Sequence, residues 1–292
     1  MTWSIGDITV ARVEQSLEPT AELSYLLPEL TPDDVARHLD WMLPHFVEPE
    51  TLRYVLSVHS WLVRTPRVTV LIDACSGNHK PRPTSVRHNM LDTPFLERLA
   101  SAGCRPEDVD YVFCTHLHVD HVGFNTTLVD GRWVPTFPNA RYLFSRADYA
   151  YWDPADPACE HRGDNDLIFA DSIAPVVEAR QAVLIDDGWE LDGTLRVQSA
   201  VGHTPGHFVV RAASRGARAI FSGDVMHHPI QVCEPHVNSR YCKDPDAARA
   251  ARREVLETCA AGGDLLLPAH FGAPHAGRVV TAGASFAFRP GL

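Results

Sequence analysis

The chain has 292 residues, 45% of them hydrophobic and 22% charged, which is typical of a folded globular protein. Its formal net charge of −11 argues against nucleic acid or an anionic membrane as the main partner, because both require a basic surface. No apolar run approaches about 18 residues, and the first residues lack the basic and apolar regions of a signal peptide. We therefore expect a cytoplasmic protein that acts on a small molecule.

The cysteines are also consistent with a cytoplasmic protein. Their number, seven, is odd, and no pair has the Cys-x-x-Cys spacing. Proteins of the cytosol keep their thiols reduced, so we expect free and mostly buried cysteines.

The first half of the chain predicts strands, short helices and one added segment. A first strand is predicted over residues 3–14, where apolar and polar residues alternate. Residues 17–50 form a proline-rich extension, in which Thr31-Pro32 opens a predicted helix that ends near Met42. The further predicted elements are strands at Leu52–Arg64, Val68–Asp73 and Val109–Cys114, a loop at 76–89 and a helix at Pro94–Ala102.

The second half repeats this pattern of strands and helices. Residues 153–172 are acidic and proline-rich and are predicted to form a loop. The predicted strands are Arg141–Ser145, Leu195–Ser199, Phe208–Ala212, Ala219–Phe221 and Leu265–Pro268, and the predicted helices are Arg146–Trp152 and Pro245–Ala260. Strands with intervening helices in both halves favour an α/β fold with two sheets. No linker interrupts the composition, so we expect a single domain over residues 1–292, with an extension inserted at about 17–50.

Four potential metal ligands follow the predicted strand Val109–Cys114 within one short segment: His116, His118, Asp120 and His121. Imidazole nitrogens and carboxylate oxygens are ligands of zinc and related divalent ions. In an extended segment, alternate residues from His116 to Asp120 share one face, whereas His121 departs from that alternation. One loop therefore offers ligands to two neighbouring ions.

Three more candidate ligands stand just past other predicted strands: His203, Asp224 and His270. His203 lies in a loop shaped by Gly202, Pro205 and Gly206. A single residue in such a place carries little weight, but its recurrence after three strands supports a metal site. Asp73 is expected to support that site through hydrogen bonds, and His207 to shape its loop.

These residues together resemble the signature of the metallo-β-lactamase superfamily, His-x-His-x-Asp-His followed by a distal His, an Asp and a final His. The resemblance implies an αββα sandwich of two mixed β-sheets flanked by helices. It also implies two divalent metal ions per chain, most often Zn²⁺, although His/Asp sites also accept Mn, Fe or Co. The implied ligands are His116, His118 and His203 for the first ion, Asp120, His121 and His270 for the second, and Asp224 for both.

The resemblance also implies a hydrolase. Metal coordination lowers the pKa of water to about 7, so that a nucleophile exists at neutral pH. Asp120 would orient this nucleophile and pass a proton to the leaving group. Size, the Gly-His-Thr-Pro-Gly-His loop and the N-terminal extension resemble the lactonase and organophosphate-hydrolase branch, with a lactone or carboxylic ester as substrate. Only 22 residues follow His270, so we expect this chain to lack the C-terminal helical domain of glyoxalase-II-type enzymes.

One position departs from that branch. Many lactonases carry a Tyr three residues after the bridging Asp, whereas this chain has His227 there. An imidazole can also donate a hydrogen bond to a substrate carbonyl, so His227 is a second candidate catalytic residue. His79, Lys80 and His88 lie in the polar loop 76–89 and are expected to be exposed to solvent.

Three alternatives stay open at this point. A mononuclear iron oxidoreductase similar to persulfide dioxygenases would bind one iron and use fewer of the ligands. A thioesterase would use the same hydrolytic chemistry on another bond. A binding protein on a decayed scaffold would have lost ligands, and here every position is filled. The N-terminal extension also makes a homodimer an expectation.

Overall fold

A computed structural model describes residues 1–157, 159, 161 and 163–291 of the chain. The chain forms two compact units. The first contains Met1–Gln15 and Val58–Thr194, and the second contains Ser16–Ser57 and Leu195–Leu292. The predicted extension at 17–50 thus falls in the second unit. Whether the chain is a single domain stays a prediction.

The first unit is built on a mixed sheet in the order β1-β2-β3-β4-β5-β8-β9. Strands β4, β5, β8 and β9 run parallel to one another, whereas β1 pairs antiparallel with β2 and β3 with β4. The strands are β1 (Thr2–Ile5), β2 (Ile8–Glu22), β3 (Arg53–Arg64), β4 (Thr69–Ile72), β5 (Tyr111–Phe113), β8 (Arg141–Ser145) and β9 (Ala182–Ile185). Strands β2 and β3 each have residues in both units.

Helices and a hairpin complete the first unit. The hairpin strands β6 (Thr126–Val129) and β7 (Arg132–Pro135) pair with each other. The helices are α3 (Phe95–Ser101), α4 (Val119–Val122), α5 (Arg146–Trp152), α6 (Asn165–Ser172) and α7 (Ala174–Glu178), and a short strand β10 (Glu190–Leu191) lies near the end of the unit. The core contains aromatic pairs, two of which are Trp3 and Trp61, edge-on with ring centroids 5.2 Å apart, and Phe95 and Phe124, stacked at 4.4 Å.

The second unit holds six of the seven strands of the second, mixed sheet, in the order β11-β12-β13-β14-β15-β16. Only β13 and β14 run parallel; the other neighbours are antiparallel. The strands are β11 (Leu195–Ser199), β12 (Phe208–Ser214), β13 (Ala217–Gly223), β14 (Leu265–Pro268), β15 (Gly277–Ala282) and β16 (Ser285–Pro290). Its helices are α1 (Leu23–Leu26), α2 (Pro32–Met42), α8 (Ile230–Cys233) and α9 (Pro245–Gly262).

The two longer helices of this unit begin where the sequence predicts. In α2, the Thr31 hydroxyl accepts from the Asp34 backbone N–H, and the Asp34 carboxylate accepts from the Thr31 N–H, a complete capping box. In α9, the Asp244 side chain caps the first turn, and Gly263 ends the helix in the left-handed region with φ 65°. Local capping chemistry therefore fixes these ends.

Several predicted elements need correction. The predicted first strand is a hairpin, because Gly6 takes a φ of 59° and turns the chain between β1 and β2. The prediction of a loop over 153–172 is wrong for its last part, since α6 occupies Asn165–Ser172. Strands β15 and β16 are not predicted by the sequence pattern.

Two further predictions concern the whole chain. All seven cysteines are free, and five of them are buried, as expected. Among the residues that the structure describes, no helix is both long and apolar enough to cross a membrane.

Candidate metal centre

Parallel strands of the first unit gather one set of polar side chains. Strands β4, β5 and β8 are neighbours and parallel, so their carboxyl ends lie at the same edge of the sheet. Asp73 follows β4, the segment His116–His121 follows β5, and α5 follows β8. This edge is where α/β sheets usually place their chemistry.

The candidate ligands after β5 lie close together. The Nε2 atom of His116 is 3.0 Å from Nδ1 of His118, and the rings of His116 and His121 are 4.0 Å apart. An Asp120 carboxylate oxygen lies 3.7 Å from Nε2 of His121. His116 and His121 are buried, whereas His118 and Asp120 are half-buried. The first unit therefore brings all four predicted ligands into one cluster.

Asp73 holds this loop, as predicted. Its carboxylate accepts hydrogen bonds from the backbone N–H and the hydroxyl of Thr115 at 2.8 and 3.0 Å. The same carboxylate lies 2.9 Å from Nδ1 of His121. Because Nδ1 of His121 faces a carboxylate, its Nε2 is the nitrogen that can bind a metal.

Asp148 is a supporting residue that the sequence did not indicate. It is fully buried in α5, and its carboxylate accepts from the backbone N–H of Leu117 at 3.1 Å. Leu117 lies between two candidate ligands, so this bond helps to fix the loop backbone. The only signal in the sequence is an Asp shortly after a strand, which is too common to single out.

In the second unit, too, polar side chains follow the ends of strands that run in the same direction. Strands β13 and β14 are parallel, and β11 and β13 are both antiparallel to β12, so these three strands end at one edge. His203 follows β11, Asp224 follows β13 directly, and His270 follows β14. The three distal candidates are thus brought together.

The carboxylate of Asp224 is the centre of this second cluster. One oxygen, Oδ1, lies 2.9 Å from Nε2 of His270. The other, Oδ2, lies 3.3 Å from Nε2 of His203 and 3.2 Å from Nε2 of His227. All four side chains are buried. Each oxygen of the carboxylate thus faces different imidazoles, an arrangement suited to a bridging ligand.

Supporting contacts fix these side chains. Nδ1 of His270 lies 2.9 Å from the carbonyl oxygen of Ser57, which leaves Nε2 for a metal. Nε2 of His207 accepts from the backbone N–H of Asp224 at 3.0 Å, so His207 shapes the site as predicted. Gly202 has a φ of 131°, and a Cβ there would lie 2.1 Å from the backbone nitrogen of Ala248. Only glycine fits beside His203.

Two buried side chains that the sequence did not indicate hold the segment after Asp224. The Gln231 amide oxygen accepts from the backbone N–H of His227 at 2.8 Å. Arg252, which is 1% exposed, donates to the carbonyls of Val225 and Pro235 at 3.0 and 2.9 Å. Burial lowers the pKa of Arg252 to about 10, and the group stays charged at neutral pH.

The predicted exposure of the loop 76–89 is wrong for Lys80. This residue is fully buried and donates to the Asp171 carboxylate at 3.2 Å and to the Thr126 hydroxyl at 2.8 Å. Arg82, also fully buried, binds the same carboxylate through two N–H groups at 2.7 Å each. His88 is half-buried and lies 2.9 Å from the Ser76 hydroxyl. These groups stabilise the loop and offer no open site.

The candidate ligands all lie in the part of the chain that matches a known protein family. The model of the family described as the metallo-beta-lactamase superfamily matches residues 53–277, which contain every candidate ligand. The chain belongs to the metallo-beta-lactamase superfamily. This confirms the resemblance seen in the sequence.

Within this superfamily, the chain is similar to curated lactonases. It is 30% identical over 130 residues to the N-acyl homoserine lactonase AttM of Azorhizobium caulinodans, covering 43% of this chain and 44% of the relative. It is 30% identical over 125 residues to the enzyme of the same name from Agrobacterium fabrum, covering 41% and 43%. The matches thus span less than half the length of these relatives.

Solved structures of the superfamily share the fold over the whole chain. The hydrolase AbOPH superimposes with a TM-score of 0.83 and 24% identity, covering 100% of this chain and 97% of that one. AidC, a dizinc quorum-quenching lactonase, gives a TM-score of 0.80 and 19% identity, with the same coverage. The predicted fold class, α/β with the metallo-β-lactamase fold, is confirmed.

Proposed function

We propose that this chain is a metal-dependent hydrolase that opens lactones or cleaves carboxylic esters. The observation that carries the proposal is that hydrogen bonds to Nδ1 orient two of its histidines for metal binding. Nδ1 of His121 faces the Asp73 carboxylate, and Nδ1 of His270 faces the Ser57 carbonyl, so both rings direct Nε2 to the candidate ligand clusters. Metal-binding histidines of known sites are held in this way.

The donor set fits a divalent metal. Neutral imidazoles and carboxylates are the ligands of zinc and of neighbouring transition metals. In the second unit, imidazole nitrogens approach the Asp224 carboxylate to between 2.9 and 3.3 Å, and the group is buried. Since Nδ1 of His270 faces the Ser57 carbonyl, its Nε2 directs a lone pair at an Asp224 oxygen, which is unfavourable unless a cation binds both groups. This supports a resident metal rather than a purely structural cluster.

Two ions per chain are proposed, with Zn²⁺ as the first choice. In this proposal His116, His118 and His203 hold one ion, Asp120, His121 and His270 hold the other, and Asp224 binds both. When bound, the ions lower the pKa of water to about 7 and polarise the carbonyl that is attacked. The family assignment supports this partition, and so do the two oxygens of Asp224, which face different imidazoles.

The chain's own residues would handle the proton. As the oxygen of the attacking water bonds to the carbonyl carbon, the Asp120 carboxylate takes one proton of that water. The bond from this carbon to the ring oxygen then breaks, and Asp120 returns the proton to the leaving alkoxide. The products are an alcohol and a carboxylic acid, which releases its proton to solvent to give the carboxylate; both groups stay in one molecule when the substrate is a lactone. Asp120 is half-buried, so its carboxylate is partly accessible to a substrate.

His227 is proposed to bind the substrate carbonyl. Its Nε2 faces Asp224, and its Nδ1 makes no hydrogen bond within the described part of the chain, although the residue is only 5% exposed. A carboxylate only accepts, so Nε2 donates to Asp224, and Nδ1 would donate to the substrate carbonyl when both ring nitrogens carry a proton. Its place three residues after Asp224 matches the Tyr of many lactonases.

The relatives support a lactone as substrate. The curated relatives are N-acyl homoserine lactonases, and AidC is a lactonase. A phosphotriester is proposed as a side activity, because the same site would polarise a phosphoryl oxygen. A small-molecule substrate and a homodimer complete the proposal.

The test is hydrolysis by protein of known metal content. Purified protein is analysed for metals and assayed on lactones, aryl esters, thioesters and phosphotriesters, before and after chelation and zinc addition. We expect two zinc per chain, lactone or ester hydrolysis, loss on chelation and recovery with zinc. One iron per chain with oxidation of a persulfide would replace the proposal, and no hydrolysis with two zinc bound would refute it.

A further inference from the structure

Two large aromatic side chains of the second unit are unusually open to solvent. Tyr25 in α1 is 50% exposed, and Tyr241 in the segment before α9 is 45% exposed. Their side chains hydrogen-bond to each other. We call this pair the tyrosine platform. The hydroxyls share one hydrogen bond, and the exposed aromatic rings offer flat apolar faces to a ligand.

The tyrosine platform is held in place by Arg240. The backbone N–H of Arg240 donates to the carbonyl of Leu26 at 2.9 Å, which ties the segment of Tyr241 to α1. The guanidinium of Arg240 lies over the ring of Tyr25, 4.2 Å from its centroid. Such a contact orients a ring even at an exposed position. The rings are thus fixed before any ligand arrives.

The tyrosine platform reaches the candidate metal centre of the same unit. The ring of Tyr241 lies 6.3 Å from the ring of His227, at an angle of 32°. His227 in turn stacks on His270, with centroids 5.7 Å apart and planes at 22°. The hydrogen bond between the tyrosines and these ring contacts therefore connect the exposed Tyr25 to the buried ligands.

We propose that the tyrosine platform binds an aromatic group of the substrate, so that aryl-substituted lactones or esters are preferred over alkyl-substituted ones of the same size. This inference rests on the proposed function. A flat ring stacks on tyrosine faces, whereas a saturated ring of equal carbon number gains contact area only. Burial raises the pKa of the Tyr241 hydroxyl further above its ordinary value, so this hydroxyl stays neutral at physiological pH.

The experiment uses a matched pair of substrates on the zinc-loaded full chain. A γ-butyrolactone with a phenyl substituent is compared with the one that carries cyclohexyl at the same carbon. We expect kcat/KM to be about tenfold higher for the phenyl compound, mainly through a lower KM. Equal kcat/KM values for the two compounds would overturn the inference.

Variants then locate the preference. Y241L removes the ring, and Y241F keeps it without the hydroxyl; the phenyl-to-cyclohexyl ratio should fall towards one in Y241L and persist in Y241F. Y25L should lower the ratio as well. Y111L, which makes the same replacement in β5 of the first unit, is the matched control and should keep the ratio.

The outcomes separate this inference from the proposed function. If neither lactone is hydrolysed with metal bound, the proposed function fails. If both are hydrolysed and Y241L keeps the full phenyl preference, the hydrolase stands and the tyrosine platform is refuted. A circular dichroism spectrum for each variant shows that a changed ratio is not a folding defect.

Discussion

Nδ1 of His121 and the carboxylate of Asp73 lie 2.9 Å apart, and both side chains are buried. The carboxylate fixes the ring orientation and keeps the Nδ1 proton in place. It also increases the basicity of Nε2, the nitrogen proposed to bind metal. Asp73 therefore acts on the metal through His121 and is a positioning residue.

Replacing Asp73 with Asn should weaken metal binding without unfolding the chain. Asp73 has a φ of 61°, a conformation that Asn also tolerates. Loss of the charge should lower metal affinity by about 10- to 100-fold. Competition with a chelator of known affinity measures this. Asp110, an exposed Asp that accepts from the backbone N–H of Thr69 at 2.8 Å, provides the matched control: D110N should bind metal as the wild type does.

Asp120 gives a sharper test of the proposed proton transfer. D120N keeps the size and the oxygen ligand of the side chain but removes its ability to accept a proton. We expect kcat to fall by at least about 100-fold, a usual contribution of a general base. Metal analysis of the assayed sample must show both ions, and wild-type turnover under that condition would rule out the role. D130N, in the exposed β6–β7 turn, should leave kcat unchanged.

The sequence predicted much of the site because ligand chemistry follows strand ends. The loop after β5 and the residues after β13 and β14 could be located from short apolar runs followed by His or Asp. Helix α2 could be predicted because Thr31 and Asp34 cap it locally. Each of these signals lies within a few residues of the chain.

The residues that escaped prediction depend on distant partners. The sequence around Lys80 predicts an exposed loop residue, whereas its burial depends on Asp171, which lies 91 residues further along the chain. Arg252 is one of three arginines in α9, and nothing near it in the sequence indicates that it donates to the carbonyl of Val225, 27 residues earlier. Pairing over such distances leaves no local pattern in a single sequence.

The buried pair of cations around Asp171 predicts a large stability effect. Lys80 and Arg82 are both fully buried, and burial lowers the pKa of Lys80 to about 8. Asp171→Asn would leave both cations without a counter-charge. We expect a loss of about 3–5 kcal/mol in the free energy of unfolding, measured by denaturant titration.

The exposed ion pair Arg253–Glu257 in α9 is the control for the buried cluster around Asp171. Its Nε–O distance is 2.8 Å, but both side chains are more than half exposed. E257Q should therefore change the free energy of unfolding by less than about 1 kcal/mol. If D171N were no more destabilising than E257Q, the cluster around Asp171 would not stabilise the fold.

His228 should make the stability depend on pH. It is fully buried, with Nε2 3.0 Å from the carbonyl of Phe46, and burial lowers its pKa from 6.5 to about 4. Between these values the unfolded chain binds the proton and the folded chain does not, so stability falls as the pH decreases through this window. This difference in pKa corresponds to about 3 kcal/mol. In H228Q, whose amide can still donate to Phe46, the unfolding free energy should fall less between pH 6.5 and 4 than in the wild type. H236Q alters an exposed histidine of the same unit and should follow the wild-type curve; parallel curves for all three proteins would contradict the assignment.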